Sequence, residues 1–282
     1  MKWEQNKHAF VPDYTEHEHW YLHKESGIRV PSVTTISSVI KKPWLEKWKL
    51  KEGINYLIEN YGQSLTHKQY DIALESAMTA SEVKSEQALI IGSAVHNTIE
   101  QYLDDWLLKG EKPEKQLIHY YANKFVQDEC THLRYDITET QVIAALRSAQ
   151  ELFEQFPDFE PVAVELCVGS VKYKYAGMLD LLCRVGGKLE IWDWKTTVMI
   201  DPKASDYPIQ INAYRKAYET MSGETIHKQK IIQLSKSENK FTMYEVAKSN
   251  TLLQAFYSLA DYYEKVIQNN DEYYKEVRKH DQ

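Results

Sequence analysis

Asp180, Asp193 and Lys195 are the residues whose types and spacing point most directly to chemistry. They lie in two apolar β-type runs joined by Gly186-Gly187. A two-residue Gly-Gly loop between such runs is a hairpin signal. If Val185 faces Lys188 across the turn, Asp180 falls opposite Asp193. Side chains alternate along a strand, so Lys195 shares the face of Asp193. Directly opposed carboxylates repel, and Asp193 and Lys195 sit among Ile191, Trp192 and Trp194, where unpaired charge is costly. A divalent cation would relieve that repulsion, and hard oxygen ligands suit Mg²⁺ or Mn²⁺. Lys195 would then orient or deprotonate a water beside the cation. The bland reading, a solvated hairpin face with scattered charges, explains the apolar context less well.

Two helical patterns supply further candidates. His96 and Glu100 are four residues apart and so share a helix face. Gly92, costly inside a helix, predicts close approach of another backbone or of substrate. Gln210 and Tyr214, also four apart, follow the Asp-x-Lys strand, and both polar tips can look into the same site.

The elements that must position these groups can be read along the chain. Residues 17–30 predict a hairpin, and Ser32 or Thr34 caps a short helix reaching Ile40. Pro43 opens a helix to about Tyr61, with Leu45, Trp48, Leu57, Ile58 and Tyr61 as its apolar face. Its start is basic, with Lys41, Lys42, Lys47, Lys49 and Lys51 interleaved with Trp44 and Trp48. That pattern suits a phosphate backbone with stacked bases, or equally a solvated lysine face. A capping box at Thr66 to Gln69 predicts a helix through Ala80, and a second helix runs from Ser85 to Leu108, closed by Gly110. Helices over 114–132 and 139–156 follow, the latter capped by Thr138 and stopped by Pro157. Then come a strand at 161–169, the Gly-Gly hairpin, a helix at 206–220, and strands at 226–234 and 241–246. The last element is a helix from Asn250 to about Tyr274 built on Leu252, Phe256, Leu259, Tyr263 and Val266. This pattern divides the chain into a hairpin and helical region at 1–157, which contributes His96, and an α/β core at 158–282.

Composition narrows the function class. The chain has 282 residues, 43% hydrophobic and 27% charged, which is a globular balance. Three cysteines, widely separated, support neither a disulfide framework nor a zinc site, and a four-cysteine iron–sulfur cluster is excluded within one chain. No run is long and apolar enough to span a bilayer, and the start lacks a signal-peptide core, so a cytoplasmic location is expected. The net charge of −7 does not announce a nucleic-acid binder, although a local basic surface would suffice for one. No Gly-x-x-x-x-Gly-Lys-Ser/Thr motif is present, so any unwinding motor is a separate chain.

An ordered set of residues resembles a known family. Pro31-Ser32-Val33-Thr34, Trp48, Gly92 with His96 and Glu100, Glu165, Gly177-Met178-Leu179-Asp180, Asp193-Trp194-Lys195-Thr196 and Gln210 with Tyr214 occur in sequence. Together they resemble the PD-(D/E)XK nuclease superfamily, within it the RecB-like branch that includes the mitochondrial genome maintenance exonuclease and related phage exonucleases. The resemblance implies an α/β, restriction-endonuclease-like core, a central mixed β-sheet flanked by helices, with an N-terminal helical region covering the active site. It implies metal ligands at His96, Asp180, Asp193 and the backbone carbonyl of Trp194, holding one or two Mg²⁺ or Mn²⁺ ions. Lys195 would be the catalytic base or water-positioning group, Gln210 and Tyr214 would steady the DNA backbone, and Glu165 would sit at the site edge. The iron–sulfur members of the branch use four cysteines that this chain lacks. The activity implied is a metal-dependent DNA exonuclease acting on single strands or DNA ends in replication, repair or recombination, with DNA and a protein of such a system as partners, in a nucleoid or a phage-infected cell. The alternative is a catalytically silent nucleic-acid- or partner-binding module on the same fold. A DNA path is expected along Lys41 to Lys51 and near Arg215 and Lys216.

Overall fold

The computed structural model describes residues 8–14, 19–40, 42–61, 67–122, 126–127, 129, 135–197, 200 and 206–268. The centre is a five-stranded mixed sheet, ordered β4 (Phe159–Ser170), β5 (Tyr175–Val185), β6 (Lys188–Lys195), β7 (Lys228–Leu234), β8 (Phe241–Glu245). All neighbours are antiparallel except β6 and β7, which run parallel. Parallel neighbours need a crossover, and helix α5 (Tyr207–Ser222) supplies it. The β5–β6 turn has φ of 56° at Gly186 and 74° at Gly187, the left-handed pair that a tight hairpin requires and that glycine adopts without steric cost. Val185 therefore faces Lys188, and the register runs as the sequence implies as far as Leu181 opposite Trp192.

Each sheet face is buried against helices. One face packs Leu182, Ile191 and Ile231 against Ile211, Tyr214 and Tyr218 of α5 and Phe256 of α6 (Asn250–Tyr262). The other packs Leu181, Trp192, Trp194 and Ile232 against Val95, Ile99 and Tyr102 of α3 (His67–Lys109) and Leu146 and Phe153 of α4 (Tyr135–Gln155). This second cluster joins residues from both sides of position 157. Trp192 and Trp194 meet edge to face with centroids 6.1 Å apart; truncating either to alanine would cost about 3–5 kcal/mol. Alternation of Trp192 and Trp194 toward α3 and α4 leaves Asp193 and Lys195 on the opposite face.

A second sheet, β1 (Phe10–Pro12), β2 (Trp20–His23) and β3 (Arg29–Pro31), lies against β4 and β5. Phe10 covers Gly169, where a Cβ would come 2.9 Å from its ring, so only glycine fits. Ser32 bridges Ala176 and caps α1 (Val33–Ser37) by accepting the Thr35 N–H at 2.8 Å. Helix α2 (Pro43–Tyr61) lies on the first half of α3 and closes to Gly53 over Ala77, where a Cβ would stand 2.9 Å from the Ala77 carbonyl oxygen.

Several elements differ from the sequence expectation. The two helices expected at 66–80 and 85–108 are one 43-residue helix, because Ser81 to Lys84 is continuous with it and packs against α2: Ser81 is buried and Lys84 pairs with Glu52. Thr138 lies inside α4 and receives a side-chain hydrogen bond from Gln87 at 2.9 Å instead of capping the helix. In the first part of the helix expected over 114–132 there is instead a short 3₁₀ turn at Leu117–Tyr120, and Tyr121 and Ala122 carry no regular structure; Val126, Gln127 and Glu129 are helical, and the rest of the stretch beyond Ala122 lies outside the described residues. Ile58, expected on the buried face of α2, is 63% exposed, because the packing face runs through Glu52 and Gly53. Leu253 is buried where Leu252 was expected to be, and the last helix passes into a π turn at Tyr263–Gln268 that leaves Val266 exposed. Residues 17 and 18 of the expected first hairpin, Lys41, Thr66, one of the three cysteines (Cys130) and the stretch 269–274 lie outside the described residues, as do the side chains of Trp44 and Gln69.

Candidate active site

The central hairpin opens where its carboxylates begin. The β5–β6 ladder ends at Leu181 opposite Trp192, and the Asp180 Oδ2 then accepts the Trp194 N–H at 2.7 Å. The side chain thus satisfies an amide that the partner strand no longer reaches. On the other side of β5, the pairs Val164 with Leu181 and Leu166 with Leu179 bracket Glu165 against Asp180. Glu165 itself has φ of 45°, a left-handed backbone that a side-chain-bearing residue adopts at a cost of order 1–3 kcal/mol and that marks functional sites. Three adjacent strands therefore deliver Glu165, Asp180 and Asp193 in one row.

Helix α3 brings the fourth group. His96 Nδ1 lies 3.8 Å from Asp180 Oδ2. Ligand-type atoms of His96, Glu165 and Asp180 all fall within 4.8 Å of one another. Asp193 stands outside this trio and is ion-paired with Lys195, Nζ to Oδ2 at 2.5 Å. Lys195 Nζ also lies 5.1 Å from the centre of the Tyr207 ring.

The electrostatics follow from burial of several acids together. Burial, then Asp180, Glu100 and Asp193, pushes the Glu165 carboxyl up to about 8, with Lys195 opposing. Burial raises Asp193 to about 6 even though Lys195 pulls it down. Burial alone would lower Lys195, but Asp193 and Asp180 outweigh it and hold its ammonium above the ordinary lysine range. Burial and Asp104 raise Glu100, with His96 opposing.

Gln210 and Tyr214 are both buried on α5. The Gln210 side-chain amide donates to Asp206 Oδ2 at 2.8 Å, and Lys42 Nζ meets the same oxygen at 3.2 Å. Tyr214 fits only because residue 177 is glycine: a Cβ there would come 2.5 Å from its ring. Its phenol is raised by burial, then by Asp193, Asp180 and Glu165, which places it in the field of the acid row. At Gly92 a Cβ would meet Thr196 Oγ1 at 3.6 Å, ordinary contact, so the approach there is by the side chain just past the Asp-x-Lys strand and is not tight. Arg215, expected along a DNA path, is buried and paired with Glu219 at 2.6 Å. Asp206 and Tyr207 were not singled out from sequence, yet an Asp just before a Tyr-Pro helix start is a capping pattern that marks a defined position.

The donor set fits a hard divalent cation. One imidazole and two carboxylates converge, and Glu165, raised first by burial and then by the neighbouring carboxylates, is a group whose charged form a cation would stabilise.

A sequence model of the PD-(D/E)XK nuclease superfamily matches residues 68–280, the span from α3 through the sheet and its flanking helices. The chain belongs to the PD-(D/E)XK nuclease superfamily. The mixed five-stranded sheet flanked by helices is the core expected of a PD-(D/E)XK protein. Membership supports a nuclease, hence a phosphodiesterase with a nucleic-acid substrate, and PD-(D/E)XK nucleases in general use divalent metals. None of the curated proteins matches the chain. Among solved structures, SSO0001 is similar at 13% identity over 78% of this chain and 84% of that one, with a TM-score of 0.28, too low to carry an argument. No helix among the described residues is long and apolar enough to cross a membrane.

Proposed function

We propose that this chain is a Mg²⁺- or Mn²⁺-dependent deoxyribonuclease of the RecB-like branch, acting as an exonuclease on single-stranded DNA or DNA ends. The convergence of His96, Glu165 and Asp180 within 4.8 Å carries the proposal. Those three residues would hold the cation. Trp194, whose N–H points to Asp180, presents its C=O to the same side of the strand, since both groups of a strand residue face one neighbour. A bound divalent cation supplies Lewis acidity at the scissile phosphate and lowers the pKa of a water.

The chain's own groups do the rest. Lys195, ion-paired with Asp193, is placed to donate a hydrogen bond to the attacking water or the phosphate; a base role would need the neutral amine. Asp193 keeps Lys195 in place through their 2.5 Å ion pair. Gln210 and Tyr214, at the start and middle of α5, would steady the DNA backbone, the role that the resemblance implies for them. By the resemblance to RecB-like exonucleases, the activity would serve processing of DNA in replication, repair or recombination, beside a partner from such a system.

The test is incubation of end-labelled single-stranded DNA, duplex DNA, RNA and closed circular single-stranded DNA with Mg²⁺, Mn²⁺ or EDTA. Stepwise shortening of the linear strand, abolished by EDTA, is expected. Rapid cutting of the closed circle would overturn the end requirement, and binding without cleavage in either metal would identify the silent module instead.

A further inference from the structure

We propose that Asp206 is a positioning residue of this site: one carboxylate oxygen holds both Gln210 and Lys42, so that the start of α5 and the base of α2 are set as a unit. The inference rests on the nuclease reading above for its consequence in catalysis, but not for its geometry.

Asp206 is buried, and its Oδ2 receives the Gln210 amide at 2.8 Å and Lys42 Nζ at 3.2 Å. It precedes Tyr207, over whose ring Lys195 Nζ lies. A shift of Asp206 therefore moves the start of α5, the ring beside Lys195 and the amide of Gln210 together. Lys42 stands just before α2, a helix that packs on α3 and turns Leu50, Ile54 and Ile58 to solvent. Among the described residues from Lys42 to Tyr61, Lys42 makes the one side-chain hydrogen bond or ion pair that reaches the core built on the five-stranded sheet. The second helix of the pair, α3, reaches the site through His96. The α2–α3 pair is thus tied to the site at two points, and the lysine that sequence assigns to a phosphate track instead closes one of them.

The carboxylate needs both partners. A buried acid at the start of a helix is favoured by the helix dipole, yet it depends on a cation for most of its compensation. Removing Lys42 leaves Asp206 with one neutral donor; removing the Asp206 charge frees Lys42 and loosens Gln210.

The experiment compares wild type with Lys42→Met, Lys42→Arg, Asp206→Asn and the double variant Lys42→Met with Asp206→Asn, all in the full chain. Cleavage of a labelled single-stranded oligonucleotide in Mn²⁺ is measured as kcat and KM, alongside Mn²⁺ titration and amide hydrogen exchange over residues 43–50. Lys42→Met and Asp206→Asn are each expected to lower kcat about 10- to 100-fold, the loss associated with small misplacements outside the reacting groups. Mn²⁺ affinity should stay unchanged, the double variant should lose little more than either single one, and Lys42→Arg should restore most of kcat. Exchange at 43–50 should quicken in Lys42→Met and return toward wild type in Lys42→Arg. Unchanged kcat and exchange in Lys42→Met, or fully additive losses in the double variant, would overturn the proposal. If the wild type fails to cleave, the nuclease reading fails, and the exchange comparison alone decides whether Lys42 and Asp206 couple the two elements. Lys42 is partly exposed, so its variants keep the test open should Asp206→Asn not fold.

Discussion

The carboxylate of Asp180 bonds the backbone N–H of Trp194 at 2.7 Å, in the place where the next strand-to-strand hydrogen bond would otherwise form. One side chain therefore serves the sheet and the candidate metal centre at once, and the two roles separate by mutation. Asp180→Asn keeps an oxygen acceptor and should cost little stability while lowering cleavage by at least about 100-fold, the scale of losing one charge-stabilising group. Asp180→Ala should lose cleavage as fully and also destabilise the fold by roughly 1–3 kcal/mol, because a buried amide is left unpaired. Urea unfolding of both variants checks this; equal stability of the two would sink it.

Lys195 and Asp193 form a pair with side-chain exposures of 21% and 9%. Lys195→Ala removes the ion-pair partner of a buried carboxylate, so it should cost about 3 kcal/mol, the low end for breaking a buried pair, since Lys195 keeps some contact with water. Lys195→Met with Asp193→Asn should recover most of that stability and none of the activity. A double-mutant cycle on unfolding free energies measures the coupling, and a coupling near zero would remove Asp193 as the holder of Lys195.

The acid row sets a pH dependence. Glu165 at about 8 and Asp193 at about 6 lie above their ordinary values of 4.5 and 3.8. The folded metal-free protein therefore binds these protons more tightly than the unfolded chain. Their stabilising contribution is complete below about pH 4 and is lost as pH rises through 6 for Asp193 and 8 for Glu165. In EDTA, Glu165→Gln should become progressively more stable relative to wild type as pH rises from 5 to 8.5, and saturating Mg²⁺ should shrink that advantage at the alkaline end. Thermal melts across this range decide it. A wild-type to Glu165→Gln difference that does not change with pH would contradict the burial of Glu165 among like charges.

Gly177 makes room for Tyr214. Gly177→Ala would place a methyl 2.5 Å from the ring and 3.3 Å from Val33 Cγ2, an overpacking that should cost about 1–3 kcal/mol and displace Tyr214 from the acid row. Tyr214→Phe, which keeps the ring, should leave stability nearly unchanged. Melting temperatures of the two variants distinguish packing from the hydroxyl.

Much of the site could be read in the sequence, for local reasons. The Gly186-Gly187 turn fixed the hairpin register as far as Leu181 and Trp192, since a two-residue loop leaves the strands no freedom. What was not legible depends on neighbours distant in sequence. Nothing local announces that Asp180 would turn to the Trp194 amide, or that Asp193 would prefer Lys195 to the trio. The sequence reading leaves Ser81 to Lys84 between two helices, whereas burial of Ser81 and the pairing of Lys84 with Glu52 of α2, both set by a neighbouring helix, suit them to the middle of one. Arg215 looked available for phosphate, but its partner one turn along, Glu219, claims it.

The tight turn at Gly186-Gly187 also bears on the order of assembly. Asp180 and Asp193 are brought together by the most local closure in the sheet, whereas His96 and Glu165 must arrive from earlier chain. Short loops close before long ones. The hairpin is therefore expected to set Asp180 beside the Asp193–Lys195 pair early in refolding, before the other two members of the trio arrive, and pulsed isotope labelling should shield the Trp194 amide while α3 is still undocked.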